Sequence, residues 1–292
     1  MTTDTLTRTA PQTGKRGRSR GRKGRIISRT AMIVVGLGFI FPFIWMLATS
    51  LKSTEEVFST GANFLGSHLE WSNYNTAWTV IPFGRIIVNS FIVALAGALL
   101  TTTVSLLSAY AFARFRFRFR DRLFLLFLGT LVLPHEVLVI PLYIMMNKLG
   151  LVNSLVALIV PFAFGAFGAF LIRQFLLTLP LDYEEAARID GAGSFRILWS
   201  IILPLVQAPL AVVGVFSFID YWGSFLWPLI VINDNTQGTI PLGLSMFSGE
   251  RGTDWGPLMA ASTLAVLPSL VVVIVLQKQL VKGISMGGLG GR

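Results

Sequence analysis

The chain is organised around one polar stretch between two apolar runs, which reads Glu185-Ala186-Ala187-Arg188-Ile189-Asp190-Gly191 and, nine residues later, Ile201-Ile202-Leu203-Pro204. Pro180 breaks the run that precedes it. Asp182, followed three residues later by Glu185, predicts a capping box at the start of a helix. Gly191 can adopt the left-handed conformation that ends such a helix.

A second short helix is predicted directly after this turn. Ser194 can cap its N-terminus, and apolar residues continue it to Ile201. Because the residue before a proline avoids the α region, we expect Pro204 to close it. Residues 180–204 therefore predict a helix–turn–helix hairpin at one membrane face.

The composition predicts a membrane protein. Of 292 residues, 53% are hydrophobic and 13% are charged, whereas soluble domains are about a quarter charged. The chain has no cysteine, which excludes disulfides, thiolate metal sites and cysteine nucleophiles. Long apolar runs predict an all-α fold with six transmembrane helices and no separate soluble domain, at about residues 31–51, 86–112, 123–146, 154–172, 205–232 and 257–276.

The segments outside the spans are polar. Residues 1–29 are rich in Lys, Arg, Gly and Ser and predict a disordered basic tail. Residues 30–281 form the expected membrane domain, and residues 282–292 form a second tail. Arginines alternate with phenylalanines over residues 114–122, as in a strand, but five arginines beside a membrane helix favour a turn that faces anionic lipid.

The distribution of basic residues predicts the orientation. Six spans place both termini on one side, and 20 of the 24 Lys and Arg residues fall on that side. The other four are Lys52, Arg85, Lys148 and Arg251. The positive-inside rule therefore predicts that both termini and the hairpin are cytoplasmic. This distribution accounts for the net charge of +10 without nucleic-acid binding.

The sequence predicts no catalytic site. It contains no phosphate-binding Walker motif, and His68 and His135 form no local cluster with metal-ligand spacing. We therefore expect a chain that is not an enzyme and holds no metal.

Two carboxylates fall inside predicted spans, where charged residues usually face a bundle interior or an aqueous path. Glu136 could line a translocation path, or Pro134 could end the helix early and leave the carboxylate among outer head groups. Asp220 could line the same path, or it could form a structural hydrogen bond to a neighbouring helix. Tyr221, Trp222 and Trp227 could stack on a sugar, or they could pack the bundle.

The hairpin motif resembles the loop of ABC importer permeases, in which Glu-Ala-Ala, three residues, Gly and nine residues lead to Ile-x-Leu-Pro. The resemblance is to the shorter permease of the maltose-type carbohydrate importers and extends over about residues 26–288. Four further segments carry it: Leu47–Lys52, Ser108–Arg114, Gly252–Gly256 and Gln277–Gly283.

This resemblance implies a type I importer permease fold in the inner (plasma) membrane of a prokaryote. It implies a heterodimer with a second permease, two ATPase subunits beneath, an extracytoplasmic substrate-binding protein above, and surrounding lipid. ATP and Mg would belong to the ATPase subunits, with no cofactor in this chain.

The resemblance also assigns roles by position. In that family the loop forms the coupling helix, which docks into a cleft on the ATPase subunit. The residues that would place it there are Glu185, Ala186, Ala187, Asp190 and Gly191. Those of an outer loop that would contact the binding protein are Ser248, Gly249, Glu250, Arg251 and Gly252. The tail from Lys282 and Gly283 onward would reach between the ATPases.

One departure concerns the fifth span. The family often reads Trp-Asn-Glu-Tyr-Leu-Trp-Pro where this chain has Trp222-Gly223-Ser224-Phe225-Leu226-Trp227-Pro228. The Asn and Glu of the family pattern are absent here, and Asp220 lies four residues, one helical turn, before Ser224. Either the polar role of those residues has moved to Asp220, or this permease subunit does not touch the substrate.

ATP-driven uptake of sugars or oligosaccharides is the function that the resemblance implies. The same machine with glycerol 3-phosphate as cargo is an alternative. A second alternative is a secondary transporter that uses Asp220 or Glu136 as a proton site. A third is a membrane scaffold that transports nothing.

Overall fold

The computed structural model describes residues 20–58, 64–249 and 252–288. The chain divides into two compact units, residues 1–46 and 47–292. Helix α1 (Arg20–Thr49) begins in the first unit and contains Pro42. Residues 20–29 were expected to be disordered and are helical, because they extend a long apolar helix and add one hydrogen bond for each residue fixed. Residues 1–19 lie outside the described residues.

The rest of the chain is mostly helical. Its α-helices are α2 (Ser72–Thr79), α3 (Phe83–Arg114), α4 (Arg120–Gly129), α5 (His135–Lys148), α6 (Leu155–Ile159), α7 (Ala166–Thr178), α8 (Asp182–Ile189), α9 (Ser194–Ile197), α10 (Leu203–Leu205), α11 (Gln207–Gly223), α12 (Leu226–Val231), α13 (Ile240–Ser245) and α14 (Trp255–Gly288). A π-helical segment, Leu198–Ile202, joins α9 to α10. The two-residue strands β1 (Ser248–Gly249) and β2 (Gly252–Thr253) form a small antiparallel hairpin, which the all-α prediction did not include.

Helix α3 is the centre of the second unit. It packs against α7 and α11, while α11 also packs against α14. Small residues allow these close approaches. A methyl group at Gly97 would lie 2.5 Å from the Tyr221 ring, and one at Gly168 would lie 2.9 Å from Val213 Cγ1. Interfaces of this kind are typical of helices that pack in lipid.

The buried apolar residues form two clusters. The larger one contains residues of α2, α3, α5, α6, α11, α12, α13 and α14. The smaller one joins α3, α7 and α11 to the helical hairpin of residues 180–204. Its buried members are Leu106, Ala109, Tyr110, Ile172, Leu176, Ile197, Leu198, Ile202, Val206 and Val213. The hairpin therefore rests on the bundle through its own apolar residues.

Three of the described helices are long and apolar enough to cross a membrane, or up to five if each bent pair counts as one span. Six spans therefore stay a prediction. The third predicted span is bent by 101° between residues 132 and 135. The residue before Pro134, Leu133, has ψ 118, as expected for a residue that precedes proline.

The fourth and fifth predicted spans are not continuous helices. Residues 154–172 contain α6 and the start of α7, separated by a turn that includes Pro161. Residues 205–232 contain α11 and α12, with a break at Ser224 and Phe225. A proline ring clashes with the carbonyl four residues earlier, and Pro228 stands four residues after Ser224.

Candidate functional site

The hairpin of residues 180–204 turns at a glycine, as the sequence predicts. Gly191 has φ +81 and follows the end of α8. Its N–H donates to the Arg188 carbonyl at 3.0 Å, and the Ala192 N–H donates to the Ala187 carbonyl at 2.9 Å. These two bonds define a Schellman motif, which satisfies carbonyls at the end of the helix and fixes the turn.

The start of α8 differs from the prediction. Leu181 is the N-cap, and no side chain caps the helix, so the capping box between Asp182 and Glu185 is wrong. Instead, the N–H groups of Glu184 and Glu185 donate to the Leu181 carbonyl at 2.9 and 3.0 Å. Asp182, Glu184 and Glu185 all lie in the first turn, where negative charge is favourable to the helix dipole.

The second half of the hairpin also corrects two details. Gly193 is the N-cap of α9 and Ser194 is its first residue, so Ser194 does not cap the helix. Pro204 does not close the helix, which continues to Leu205 before an 82° bend. The π-helical segment before Pro204 widens the helix where the proline ring would clash with the Ser200 carbonyl.

Glu184 is the buried centre of the attachment between the hairpin and α3. Its Oε1 accepts a hydrogen bond from Arg114 Nε at 2.5 Å, and the two side chains are 3% and 5% exposed. Tyr110 Oη donates to Glu184 Oε2 at 3.4 Å, and Arg114 Nη2 donates to the Leu179 carbonyl at 3.3 Å. Arg188 adds a longer contact at 3.9 Å. This network holds α8 against the end of α3.

The sequence interpretation selected Glu185 and did not identify Glu184. The partners Arg114 and Glu184 are 70 positions apart, so no local spacing predicts their contact. One signal was available: Tyr110 and Arg114 lie one turn apart on α3 and present a polar pair on one face of a mainly apolar helix.

The opposite face of the hairpin is exposed. Four of the five predicted coupling residues have exposed side chains or backbone there, namely Glu185, Ala186, Asp190 and Gly191. Ala187 is partly buried and packs against the smaller apolar cluster. Ile189 is 87% exposed and Phe195 is 72% exposed. Two large apolar side chains therefore stand exposed beside the predicted coupling residues.

The two predicted intramembrane carboxylates line the same cavities. Glu136 and Asp220 both line a cavity of about 220 Å³ and an adjoining one of about 660 Å³. Asp220 is exposed and forms no hydrogen bond with the residues that the structure describes, so the structural alternative for its role is not observed. Glu136 lies in the first turn of α5, directly after the break at Pro134. Ser224 lines the smaller cavity.

The aromatic residues nearby are arranged as packing residues. Tyr221 Oη donates to the Ile159 carbonyl at 2.8 Å, and Trp222 Nε1 donates to the Ala265 carbonyl at 3.2 Å. Trp227 Nε1 donates to the Ala157 carbonyl at 2.9 Å. All three side chains are buried, as the packing alternative expects, while Tyr221 and Trp227 also form part of the wall of the smaller cavity.

The two remaining predicted regions are only partly described. In the outer loop, Ser248 and Gly249 pair with Gly252 and Thr253, whereas Glu250 and Arg251 lie outside the described residues. Lys282 and Gly283 belong to α14, but their side-chain environment lies outside the described part of the chain.

The chain is similar to proteins of known function. Residues 101–286 match the family described as "Binding-protein-dependent transport system inner membrane component". The sn-glycerol-3-phosphate transport system permease protein UgpE of Pectobacterium atrosepticum is 38% identical over 273 residues, which cover 90% of this chain and 97% of that protein. UgpE of Salmonella typhi is 36% identical over 272 residues, with the same coverage.

The fold is shared with solved structures, one of which matches most of the chain. It is the crystal structure of a bacterial ABC transporter involved in the import of the acidic polysaccharide alginate. The TM-score is 0.76 at 23% identity, and the match covers 92% of this chain and 100% of that one. The helical architecture is therefore that of an ABC importer subunit.

Proposed function

The chain belongs to the family of binding-protein-dependent transport system inner membrane components, and from this membership we propose that it carries sn-glycerol 3-phosphate or a closely related phosphate ester through an ATP-driven importer. One observation supports this cargo: the 38% identity to UgpE extends over 90% of the chain. The sequence interpretation had placed sugars first and glycerol 3-phosphate second. The relatives support the second cargo better.

The exposed face of the hairpin is the proposed contact with an ATPase subunit. Glu185, Ala186 and Asp190 present a small, polar surface beside exposed apolar side chains, which suits docking into a cleft. The buried pair of Arg114 and Glu184 connects that face to α3. Closure of the ATPases on ATP would then move α8 and α3 together and change the side on which the path opens.

The orientation and assembly follow from this role. Both termini and the hairpin face the cytoplasm, where the ATPases bind ATP and Mg. A second permease completes the path, and a substrate-binding protein delivers cargo to the outer face, where residues 248–252 form the proposed contact loop. The C-terminal tail from residue 282 would reach the ATPases.

The charge of the two cavities indicates that this chain makes only part of the contacts that recognise the substrate. Their lining contains Glu136 and Asp220 but neither Lys nor Arg. Because a phosphate group is recognised mainly by Arg and Lys, we infer that the binding protein and the second permease supply most of the positive charge. This chain would then contribute the wall of the path and the coupling to ATP.

Transport by the complete complex in proteoliposomes tests the proposal. With the binding protein outside and ATP inside, labelled sn-glycerol 3-phosphate should accumulate, and a complex with a hydrolysis-deficient ATPase should not accumulate it. Uptake of maltose without uptake of glycerol 3-phosphate would contradict the cargo. Accumulation that does not require the ATPase would contradict the whole mechanism.

A further inference from the structure

Residues 115–122, which connect α3 to α4 and include the first residues of α4, are called here the arginine turn. It contains four arginines and one acidic residue, Asp121. Phe115 is extended after α3, and Phe119 adopts the left-handed conformation with φ 65, which is uncommon for a large side chain. The turn leaves the same end of α3 that binds Glu184, so it lies at the end of the bundle that carries the hairpin.

Part of the positive charge in this region is already paired. Arg114 is buried against Glu184. Arg120 Nε lies 3.1 Å from Asp121 Oδ1, and Arg173 Nη2 lies 3.4 Å from the same oxygen. Asp121, the acidic residue of the turn, is therefore shared by two guanidinium groups.

Three arginines of the turn are exposed and unpaired. Arg116, Arg118 and Arg122 form no ion pair or hydrogen bond with any residue that the structure describes. Arg118 and Arg122 both approach the Phe119 ring, with guanidinium carbons 4.7 and 5.7 Å from its centroid. Two like charges therefore converge on one ring, and an anion bound between them would relieve their repulsion.

The surroundings indicate which anion fits. A cleft of about 570 Å³ is lined by Arg116, Phe117, Phe119, Arg120, Asp121 and Arg122. Arg118 is not part of this lining and reaches the cleft's edge through its contact with the Phe119 ring. The forked guanidinium groups match the geometry of a phosphate. Helix α4 continues directly from the cleft with Leu125 and Leu126, which are 69% and 73% exposed. These leucines place the cleft beside the acyl chains of the bilayer, so a single phospholipid can contact the arginines with its head group and the leucines with its acyl chains.

We propose that Arg116, Arg118 and Arg122 bind the phosphate head group of an anionic phospholipid, whose acyl chains lie along the exposed leucines of α4. The lipid lies in the leaflet on the same side of the membrane as the hairpin of residues 180–204. This site is independent of the transported substrate, because it lies outside the cavities of Glu136 and Asp220.

The experiment compares two double variants of the intact transporter complex. Arg118→Gln with Arg122→Gln removes the two charges at Phe119. Arg85→Gln with Lys148→Gln removes two exposed charges elsewhere and serves as the matched control. Each complex is equilibrated with mixed phosphatidylglycerol and phosphatidylcholine in mild detergent, and the lipid that stays bound is counted by native mass spectrometry.

We expect the Arg118/Arg122 variant to lose phosphatidylglycerol retention by on the order of tenfold relative to phosphatidylcholine, because each basic residue near an anionic lipid contributes to its binding. The control should retain the wild-type ratio. Arg116→Gln alone should give a smaller loss, and it replaces the double variant if that complex does not assemble.

Three outcomes would overturn the proposal. The first is an unchanged phosphatidylglycerol ratio in both arginine variants. The second is displacement of the lipid by excess inorganic phosphate, with equal binding of phosphate to the lipid-free complex, which would indicate a soluble-anion site. The third is loss of the ATPase subunits with unchanged lipid retention, which would indicate a protein-docking surface.

Discussion

Arg114 at the end of α3 and Glu184 in α8 form a buried ion pair, with Nε 2.5 Å from Oε1. The pair joins the central helix of the bundle to the helix that carries the motif. Helix α3 in turn packs against α7 and α11. Rigid elements connected in this way can transmit a displacement from one site to another. The pair therefore begins a continuous series of packed elements that leads from the hairpin through α3 to the cavity walls, to which α7 and α11 contribute.

Removing one partner of this pair should destabilise the complex strongly. Arg114→Met leaves the Glu184 carboxylate buried without its main partner, and the expected loss is about 3–5 kcal/mol. Thermal unfolding of the purified complex measures it. Replacing both residues, as Arg114→Met with Glu184→Gln, should recover part of the loss because no buried charge is then left alone.

Arg188 provides the control for this prediction. It also contacts Glu184, but at 3.9 Å and with a side chain that is 53% exposed. Arg188→Met should therefore cost less than about 1 kcal/mol. Equal losses for Arg188→Met and Arg114→Met would contradict the assignment of the buried pair as the attachment.

Close helix packing at Gly168 gives a second prediction. A methyl group there would lie 2.9 Å from both Ser105 Cβ and Val213 Cγ1. Gly168→Ala should destabilise the bundle by about 1–3 kcal/mol, as overpacking of a filled interface does. Gly165→Ala is the control, because nothing lies within 4 Å of the added atom. If the two variants unfold at the same temperature, the contact of α7 with α3 and α11 is wrong.

The acidic cavities give a third prediction, which depends on the anionic cargo. Asp220→Asn removes a negative charge from the wall, so the KM for sn-glycerol 3-phosphate transport should fall roughly fivefold, which corresponds to about 1 kcal/mol. Glu136→Gln should act in the same direction. Glu55→Gln changes an exposed carboxylate outside these cavities and should leave KM unchanged. Unaltered kinetics for both cavity variants would exclude this chain from the path.

Charge reversal at the motif gives a fourth prediction. Glu185→Lys should abolish uptake and the stimulation of ATP hydrolysis by the loaded binding protein, while the chain still inserts into the membrane. Asp182→Lys makes the same charge change in the same helical turn, so it controls for the effect on the helix dipole. We expect Asp182→Lys to retain most of the uptake. Wild-type uptake by Glu185→Lys would remove this residue from the docking surface.

Local sequence signals predicted the hairpin but not its caps. Gly191 is required for the left-handed turn, and the structure places it there with φ +81. Asp182 and Ser194 are good capping residues in isolation. However, each helix begins one residue earlier than a cap at that position requires, with Leu181 and Gly193 as the N-caps. Helix boundaries depend on packing beneath the hairpin, which local propensity does not contain.

Hydropathy predicted where the apolar segments lie, but it did not predict where their helices are interrupted. The run over residues 154–172 has no charge, yet it is divided by a turn that contains Pro161. The fifth span is divided before Pro228. An apolar run does not distinguish one long helix from two short ones, and the prolines were the available signal. The contact of Arg114 with Glu184 depends on tertiary structure and could not be read from either segment alone.

The account depends most on the contact between the hairpin and the ATPase, and cross-linking measures that contact directly. Because the natural chain has no cysteine, Ala186→Cys introduces a unique thiol on the exposed face of α8. In membranes that contain the whole complex, this thiol should cross-link to a cysteine placed in the docking cleft of the ATPase subunit and should be inaccessible to impermeant reagents added outside intact cells. Labelling of position 186 from outside, with no cross-link to the ATPase, would contradict the account.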